Sequence, residues 1–467
     1  MRYALPNFAP DKLPRGDVLT VCKNALPAEN GYRAVGGFQS ISDTLPDTFQ
    51  GAGSFVSSGG TAFLLAGTAS TLSRLSGGAW TDLLTGLSIG TRWNFVQFGD
   101  NVVCLNGSTT QNVDLNAGTA SALSGAPTAI SGCVVGDHVV LAQPNGDISK
   151  VRWSAFNDHT AWTLGVDQAG EQPMLTGGEV MGVAGGEYGV ILQRQRLVRM
   201  TRTGEADLPF QFDEISDNIG CASKNSIAAV GRTVFFLSDR GFFALDDGQA
   251  PRPIGKEVFD ETFRAELGED QFERVWAAVD PKATRVYWGI PGGTGTVWGY
   301  DWALQKPFTL ELPFDGLFAG FENSTDLDSL TATYPDLDAM PFTLDDPRWS
   351  GGAPRFYLVQ EGQVGTLGGG NLTASFTAEN VQLGKHNVRI HGAWPETDAT
   401  AGVVLSITEK QRRGDGGRVR SGSNMQTSGR IPIRVNGKFL DVTMTVNNPD
   451  WTYIEGVTFE ATAGGVR

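Results

Sequence analysis

Apolar residues along most of this chain come in short runs rich in Val, Phe, Tyr and Trp, bounded by Gly, Asp and Asn, the residues that make tight turns. An apolar run, a Gly-centred turn and a second apolar run recur as SFVSSGGTAFLLAG (54–67), NFVQFGDNVVCLNG (94–107), ISGCVVGDHVVLAQ (130–143), MGVAGGEYGVILQR (181–194) and IAAVGRTVFFLSDRGFFAL (227–245). VWAAVDPKATRVYWGI (275–290) repeats the layout with a Gly-free turn. A last copy is split into GLFAGF (316–321) and RFYLVQEGQVGTL (355–367). The spacing is roughly 35–50 residues, the period of a four-stranded propeller blade. The expected fold is therefore all-β: a β-propeller of about six or seven blades followed by a smaller β domain. The rungs of a β-solenoid, the competing architecture, would be shorter and more regular. One stretch predicts a helix, with Phe259, Phe263 and Leu267 in an i, i+4, i+8 stripe.

Three segments fall outside the repeat. Residues 1–50 carry five prolines and read as an extended arm that can finish a blade. Residues 322–352 form an acidic insertion in the last copy, so the propeller is expected over 51–370. Beyond 371 the runs alternate, as in ASFTAENVQL, GVVLSITEKQ and GKFLDVTMTVNN, which suits an antiparallel sandwich-like domain over 371–467.

Composition narrows the function. Apolar residues make up 40% of 467, enough for a sizeable core, and no run approaches the ~18 residues that cross a bilayer. The opening Met1-Arg2-Tyr3-Ala4-Leu5-Pro6-Asn7 lacks a long apolar stretch, so no secretory signal is expected. Thirty-six basic residues against 51 acidic ones give a net charge of −15, which argues against a surface that grips nucleic acid. The four cysteines, Cys22, Cys104, Cys133 and Cys221, lie far apart and read as free buried thiols, consistent with synthesis in a cytoplasm.

Candidate chemistry is sparse, and no catalytic residue, metal site or cofactor is expected. His386 and His391, five apart on an expected strand, would point to opposite faces, which is poor zinc geometry. Asp326, Asp328, Asp336, Asp338, Asp345 and Asp346 crowd the insertion without the spacing of a calcium loop. Carboxylates for glycoside hydrolysis could come from distant blades, but nothing in the sequence singles out a pair. Two basic patches break the acidic background. Arg194, Arg196, Arg199 and Arg202 read as a solvated hairpin. Arg412, Arg413, Arg418 and Arg420, in a Gly-rich stretch between strands, read as a long exposed loop suited to docking a partner.

Several segments resemble the tail nozzle proteins of short-tailed bacteriophages, also called packaged-DNA stabilisation or tail-hub proteins. They are NALPAENGYRAVGGFQSIS near the start, VRWSAFNDHTAW (151–162), NIGCASKNSIAAVGRTVFFLSDRGFFALDDGQAPRPIGKEVFDETF (218–263) and VWGYDWALQKPF (297–308). PDLDAMPFTLDDPRWSGGAPRFYL (335–358) and the closing EGVTFEATAGGVR complete the set, so the resemblance spans most of the chain. The second arginine patch matches no signature of that family. The resemblance implies a non-enzymatic virion protein, made in the host cytoplasm and assembled as a homohexamer at the distal end of the tail. There it would join the adaptor ring beneath the portal, with tail fibres or spikes as further neighbours. It would retain packaged DNA and open at infection, letting DNA pass without tight binding. An acidic lining suits such a conduit, because like charges repel phosphates. The alternative is a propeller enzyme or glycan-binding module acting on polysaccharide, suggested by 11 tryptophans and many loops.

Overall fold

The computed structural model describes residues 1–293, 295–321, 353–422 and 424–463. The fold is all-β, with one α-helix among the described residues, Asp260–Leu267. Each repeat seen in the sequence supplies at least the first two strands of a four-stranded antiparallel set, which is a sheet by itself in six cases and one end of a nine-stranded sheet in the sixth repeat. In chain order these sheets begin with strands Phe49–Val56, Asn94–Phe98, Ser131–Val135, Val180–Ala184, Ala228–Val230, Trp276–Asp280 and Gly316–Phe321. The second strands are apolar almost throughout: Ala62–Thr68 and His138–Ala142 are buried at every position. A strand buried along its whole length has both faces covered, which is why these runs do not alternate.

The cover comes from neighbouring sheets. Phe63 and Leu65 of the first sheet pack with Val102 and Val113 of the second, and Val103 and Leu105 pack with Val139 and Leu141 of the third. Val140 and Val151 meet Ile191 and Val198 of the fourth, and Leu192 and Leu197 meet Val234 and Phe236 of the fifth. Phe235 and Phe242 join Val286 and Trp288 of the sixth, and Tyr287 lies 4.2 Å from Phe356 of the seventh. A further cluster sets Phe318, Tyr357 and Val359 of the seventh sheet against Leu64, Ala66 and Leu75 of the first.

The N-terminal arm is woven through the molecule. Arg2–Ala4 pairs with Tyr453–Ala463, and Gln39–Ser40 forms the outer strand of the seventh sheet, with Ser40 opposite Gly365. Val21–Lys23 lies between Lys306–Glu311 of the sixth sheet, in parallel, and Ala374–Val381, antiparallel. This one strand fuses the sixth sheet to the C-terminal region in a nine-stranded sheet that runs on through Phe439–Val446, Val403–Lys410 and Arg418–Ser421. The other C-terminal sheet holds Ala25–Pro27, Tyr32–Ala34, Tyr453–Ala463, Val388–Thr397 and Val435–Gly437. Here burial does alternate: Phe439–Val446 buries every second residue, as a strand with one covered face must.

The helix starts one residue after Phe259 and buries Phe263 against Phe242, 4.6 Å between ring centres. Asp11 of the arm accepts the backbone N–H of Glu261 and Thr262, satisfying two donors the first turn leaves open. Phe8, Leu19 and Cys22 of the arm share one core with this helix, with Trp288 and Trp298 of the sixth sheet, and with Phe376, Leu405 and Trp451 of the C-terminal sheets. All four cysteines are free thiols. The Phe376 ring packs tilted against Tyr32, 5.1 Å between ring centres, where arm and C-terminal sheets meet, so Phe376→Ala should cost roughly 3–5 kcal/mol in urea unfolding. A loss below about 1 kcal/mol would show that this junction does not hold the two regions together.

Candidate functional site

The four arginines assigned to docking sit where the nine-stranded sheet ends. Val403–Lys410 and Arg418–Ser421 form a hairpin, with Glu409 opposite Arg418. At its tip the Arg412 backbone N–H donates to Asp415 Oδ2 at 2.9 Å, and Gly414 and Gly417 take positive φ. Arg412, Arg413 and Arg418 are exposed and form no ion pair among the described residues. The Arg413 guanidinium lies 5.3 Å from the centre of the Phe439 ring. Arg420 differs: its Nη2 meets Glu409 Oε1 at 3.1 Å. Because Arg418–Ser421 is the last strand of its sheet, one row of its backbone donors and acceptors is left without a strand partner.

The other arginine patch is neutralised. Arg194 faces Asp239 at 3.3 Å, Arg196 faces Glu214 at 2.6 Å, Arg199 faces Asp213 at 3.7 Å and Arg202 faces Asp137 at 3.6 Å. These are partly exposed pairs, worth on the order of 0–1 kcal/mol each, and they leave no free basic stripe. His386 precedes the strand Val388–Thr397 that carries His391, so the two are not on one strand as expected. His391 Nε2 lies 3.2 Å from Thr462 Oγ1. His138 is buried, with Nδ1 2.8 Å from the Ser154 carbonyl oxygen. No group of three or more His, Cys, Asp or Glu side chains is placed to hold a metal among the described residues. The acidic insertion and its six aspartates lie outside the described residues.

Two further features were not visible in the sequence. The first is a cavity of about 400 Å³ lined by segments of five sheets: Gly51–Phe55, Arg92–Phe95, Lys224–Ala229, Trp276–Val279 and Leu317–Ala319. Its walls combine small residues and aromatic rings with the polar side chains of Arg92, Asn94, Lys224 and Asn225, and no carboxylate is among them. The Arg92 guanidinium carbon sits 3.9 Å from the centre of the Trp276 ring, in cation–π geometry. Burial, with the charge of Arg274 second, pulls the Arg92 pKa down to about 10. Lys224, also on the wall, is held by Glu179 at 2.5 Å. The second feature is Asp260, 5% exposed in the first turn of the helix. Its Oδ1 accepts the Phe242 N–H at 3.2 Å. A Cβ at Gly241 or Gly255 would collide with this carboxyl group, so both positions must be glycine for Asp260 to fit.

No family model and no curated protein matches the chain. Among solved structures, the extracellular domain of a putative one-component system from B. thetaiotaomicron aligns with a TM-score of 0.43 at 10% identity, covering 82% of this chain and 47% of that one. PorZ, a surface component of the type-IX secretion system of Porphyromonas gingivalis, aligns at 0.36 and 11% identity over 73% and 43%. AztD from Citrobacter koseri aligns at 0.31 and 12% over 61% and 95%. The chain thus spans less than half the length of the first two.

Burial pushes the Asp260 carboxyl up from 3.8 to about 6, with Phe242 N–H and Arg264 opposing the shift. The folded state therefore binds this proton more tightly than the unfolded chain. The stability it contributes is complete below pH 3.8 and is lost as pH rises through 6. Asp260→Asn removes that titration, so the stability of the variant relative to wild type should rise between pH 4 and 6 in paired urea unfolding curves. A difference that stays flat with pH would mean that Asp260 titrates normally.

Proposed function

We propose that the chain is a structural subunit of a bacteriophage tail, a nozzle protein that assembles as a homohexamer at the distal end of the DNA-ejection channel. It retains packaged DNA, opens at infection and catalyses no reaction. In this reading the seven four-stranded sheets close into a seven-bladed propeller, with Gln39–Ser40 as the strand that seals the last blade. The observation that carries the reading is the ordered set of segments resembling nozzle proteins, which runs from the arm through the fifth and sixth sheets to the last strand. Two features support it. An arm bonded into three sheets makes one stiff subunit of blades and C-terminal sheets, as a part under DNA pressure requires. A net charge of −15 keeps passing phosphates from sticking.

The exposed hairpin of Arg412, Arg413 and Arg418 is the docking element toward the adaptor ring beneath the portal. Three uncompensated cations on an otherwise acidic subunit favour an acidic partner and speed encounter with it. Tail fibres or spikes are further neighbours in the virion. A propeller enzyme or glycan-binding module acting on polysaccharide is the second reading, and the cavity with its aromatic rings favours its binding form, since no carboxylate lines it.

Solution mass decides between a ring component and a lone module. Alone or with tail components, the protein should form a particle near 300 kDa, six times the 49.8 kDa chain. A monomer indifferent to tail proteins would overturn the nozzle reading. Reversing the charge at Arg412, Arg413 and Arg418 to Glu should slow association with the adaptor ring at least about tenfold at low salt and leave the melting temperature unchanged. Unchanged association would remove the hairpin from the interface.

A further inference from the structure

Buried cations in folded proteins have a counter-charge or a full set of hydrogen bonds, because desolvating an unpaired charge is costly. Arg92 has neither. It forms no ion pair or hydrogen bond among the described residues, and its Nη1 is sealed from solvent without an acceptor. The Nε1 of Trp276, whose ring carries the guanidinium, is also buried and without a partner. Arg274 adds a second positive charge nearby, and the cavity wall supplies no Asp or Glu. The other cation on the wall, Lys224, is already neutralised by Glu179, which also accepts from Gln143 at 2.8 Å. The imbalance is therefore confined to the Arg92 side of a cavity large enough for a small organic molecule.

We propose that this cavity is a binding site for a small oxyanion-bearing ligand, a carboxylate or phosphate ester, with Arg92 as the charge-pairing residue. The arrangement suits that chemistry. A guanidinium is a planar donor fork that matches two-oxygen anions, and the Trp276 ring fixes its plane. The amide of Asn94 is oriented by its oxygen, which accepts the Gly132 N–H at 3.1 Å, so its N–H donors remain available. Phe95 and Phe318 offer apolar surface to the body of the ligand. With Arg92 half-buried in a partly enclosed cavity, its attraction to an oxyanion is larger than at an open surface, which makes the charge of the ligand a determinant of selectivity. Inner strands of small residues, such as Gly51-Ala52-Gly53 and Ala277-Ala278, leave the room the ligand needs. This site is independent of the tail role: it can be occupied in a monomer or in a ring.

The test uses the full-length protein, with glucuronate and inorganic phosphate as probes and glucose as the neutral control. Binding is read by tryptophan fluorescence, since Trp93 and Trp276 line the cavity, and by thermal shift. Wild type should respond saturably to one or both oxyanions below about 10 mM and not to glucose. Arg92→Met should weaken that binding roughly tenfold to a hundredfold, the usual effect of losing a charged hydrogen-bond partner. Arg92→Lys, which keeps the charge and loses the fork, should fall between the two. Response to glucuronate alone would identify a sugar-acid-sized ligand, and response to phosphate alone a phosphate ester. No response to either oxyanion, or an undiminished response in a folded Arg92→Met variant, would overturn the proposal.

Discussion

Apolar contact between consecutive four-stranded sheets is the constraint on which this molecule depends. No such sheet can bury two apolar faces alone, and each must borrow cover from the sheet before and the sheet after. Seven clusters supply that cover, and one of them sets Phe318, Tyr357 and Val359 of the last sheet against Leu64, Ala66 and Leu75 of the first. Among the described residues, this arrangement brings the seventh sheet into apolar contact with the first. It also explains the crowding of small residues on the first strands. Where strands of five sheets approach one another, Gly51, Gly53, Ala228 and Ala277 fit and larger side chains would fill the space.

The second constraint is the arm. Val21–Lys23 turns two bodies into one by continuing the sixth sheet into the C-terminal sheets, and Thr309 Oγ1 locks it by donating to the Cys22 carbonyl at 2.7 Å. Asp11 then caps the helix, and Gln39–Ser40 completes the seventh sheet. A separate N-terminal extension would add nothing to a passive scaffold. An arm bonded into three sheets transmits force between them, a property the proposed nozzle role would use.

Much of the fold was legible because its signals are local. The apolar–turn–apolar repeat marked the first two strands of every four-stranded sheet, and the 259, 263, 267 stripe located the helix to within two residues. The alternation beyond 371 reappears as strands such as Phe439–Val446 that bury every second residue, while their continuity with the sixth sheet through Val21–Lys23 left no mark in the sequence. The partners of the arm were not legible, since pairing such as Lys23 with Thr309 joins residues nearly 300 positions apart and leaves no mark in either segment. The arginine hairpin could be seen because its tip is rich in glycine, whereas pairing of Arg194, Arg196, Arg199 and Arg202 depends on carboxylates from other strands and turns. Arg92 and Asp260 escaped for the same reason. Each looks ordinary in its own segment, and only the meeting of distant strands makes one an unpaired cation and the other a buried acid.

Electron cryo-microscopy of the protein assembled with its tail components tests the central claim most directly, because it resolves the subunit and its assembly together. The account predicts six copies around one axis, each with seven sheets closed between Gly316–Phe321 and Phe49–Val56 and with the hairpin of Arg412, Arg413 and Arg418 turned toward the neighbouring ring. Particles of a single copy that carry no partner, or sheets left open between the seventh and the first, would contradict it.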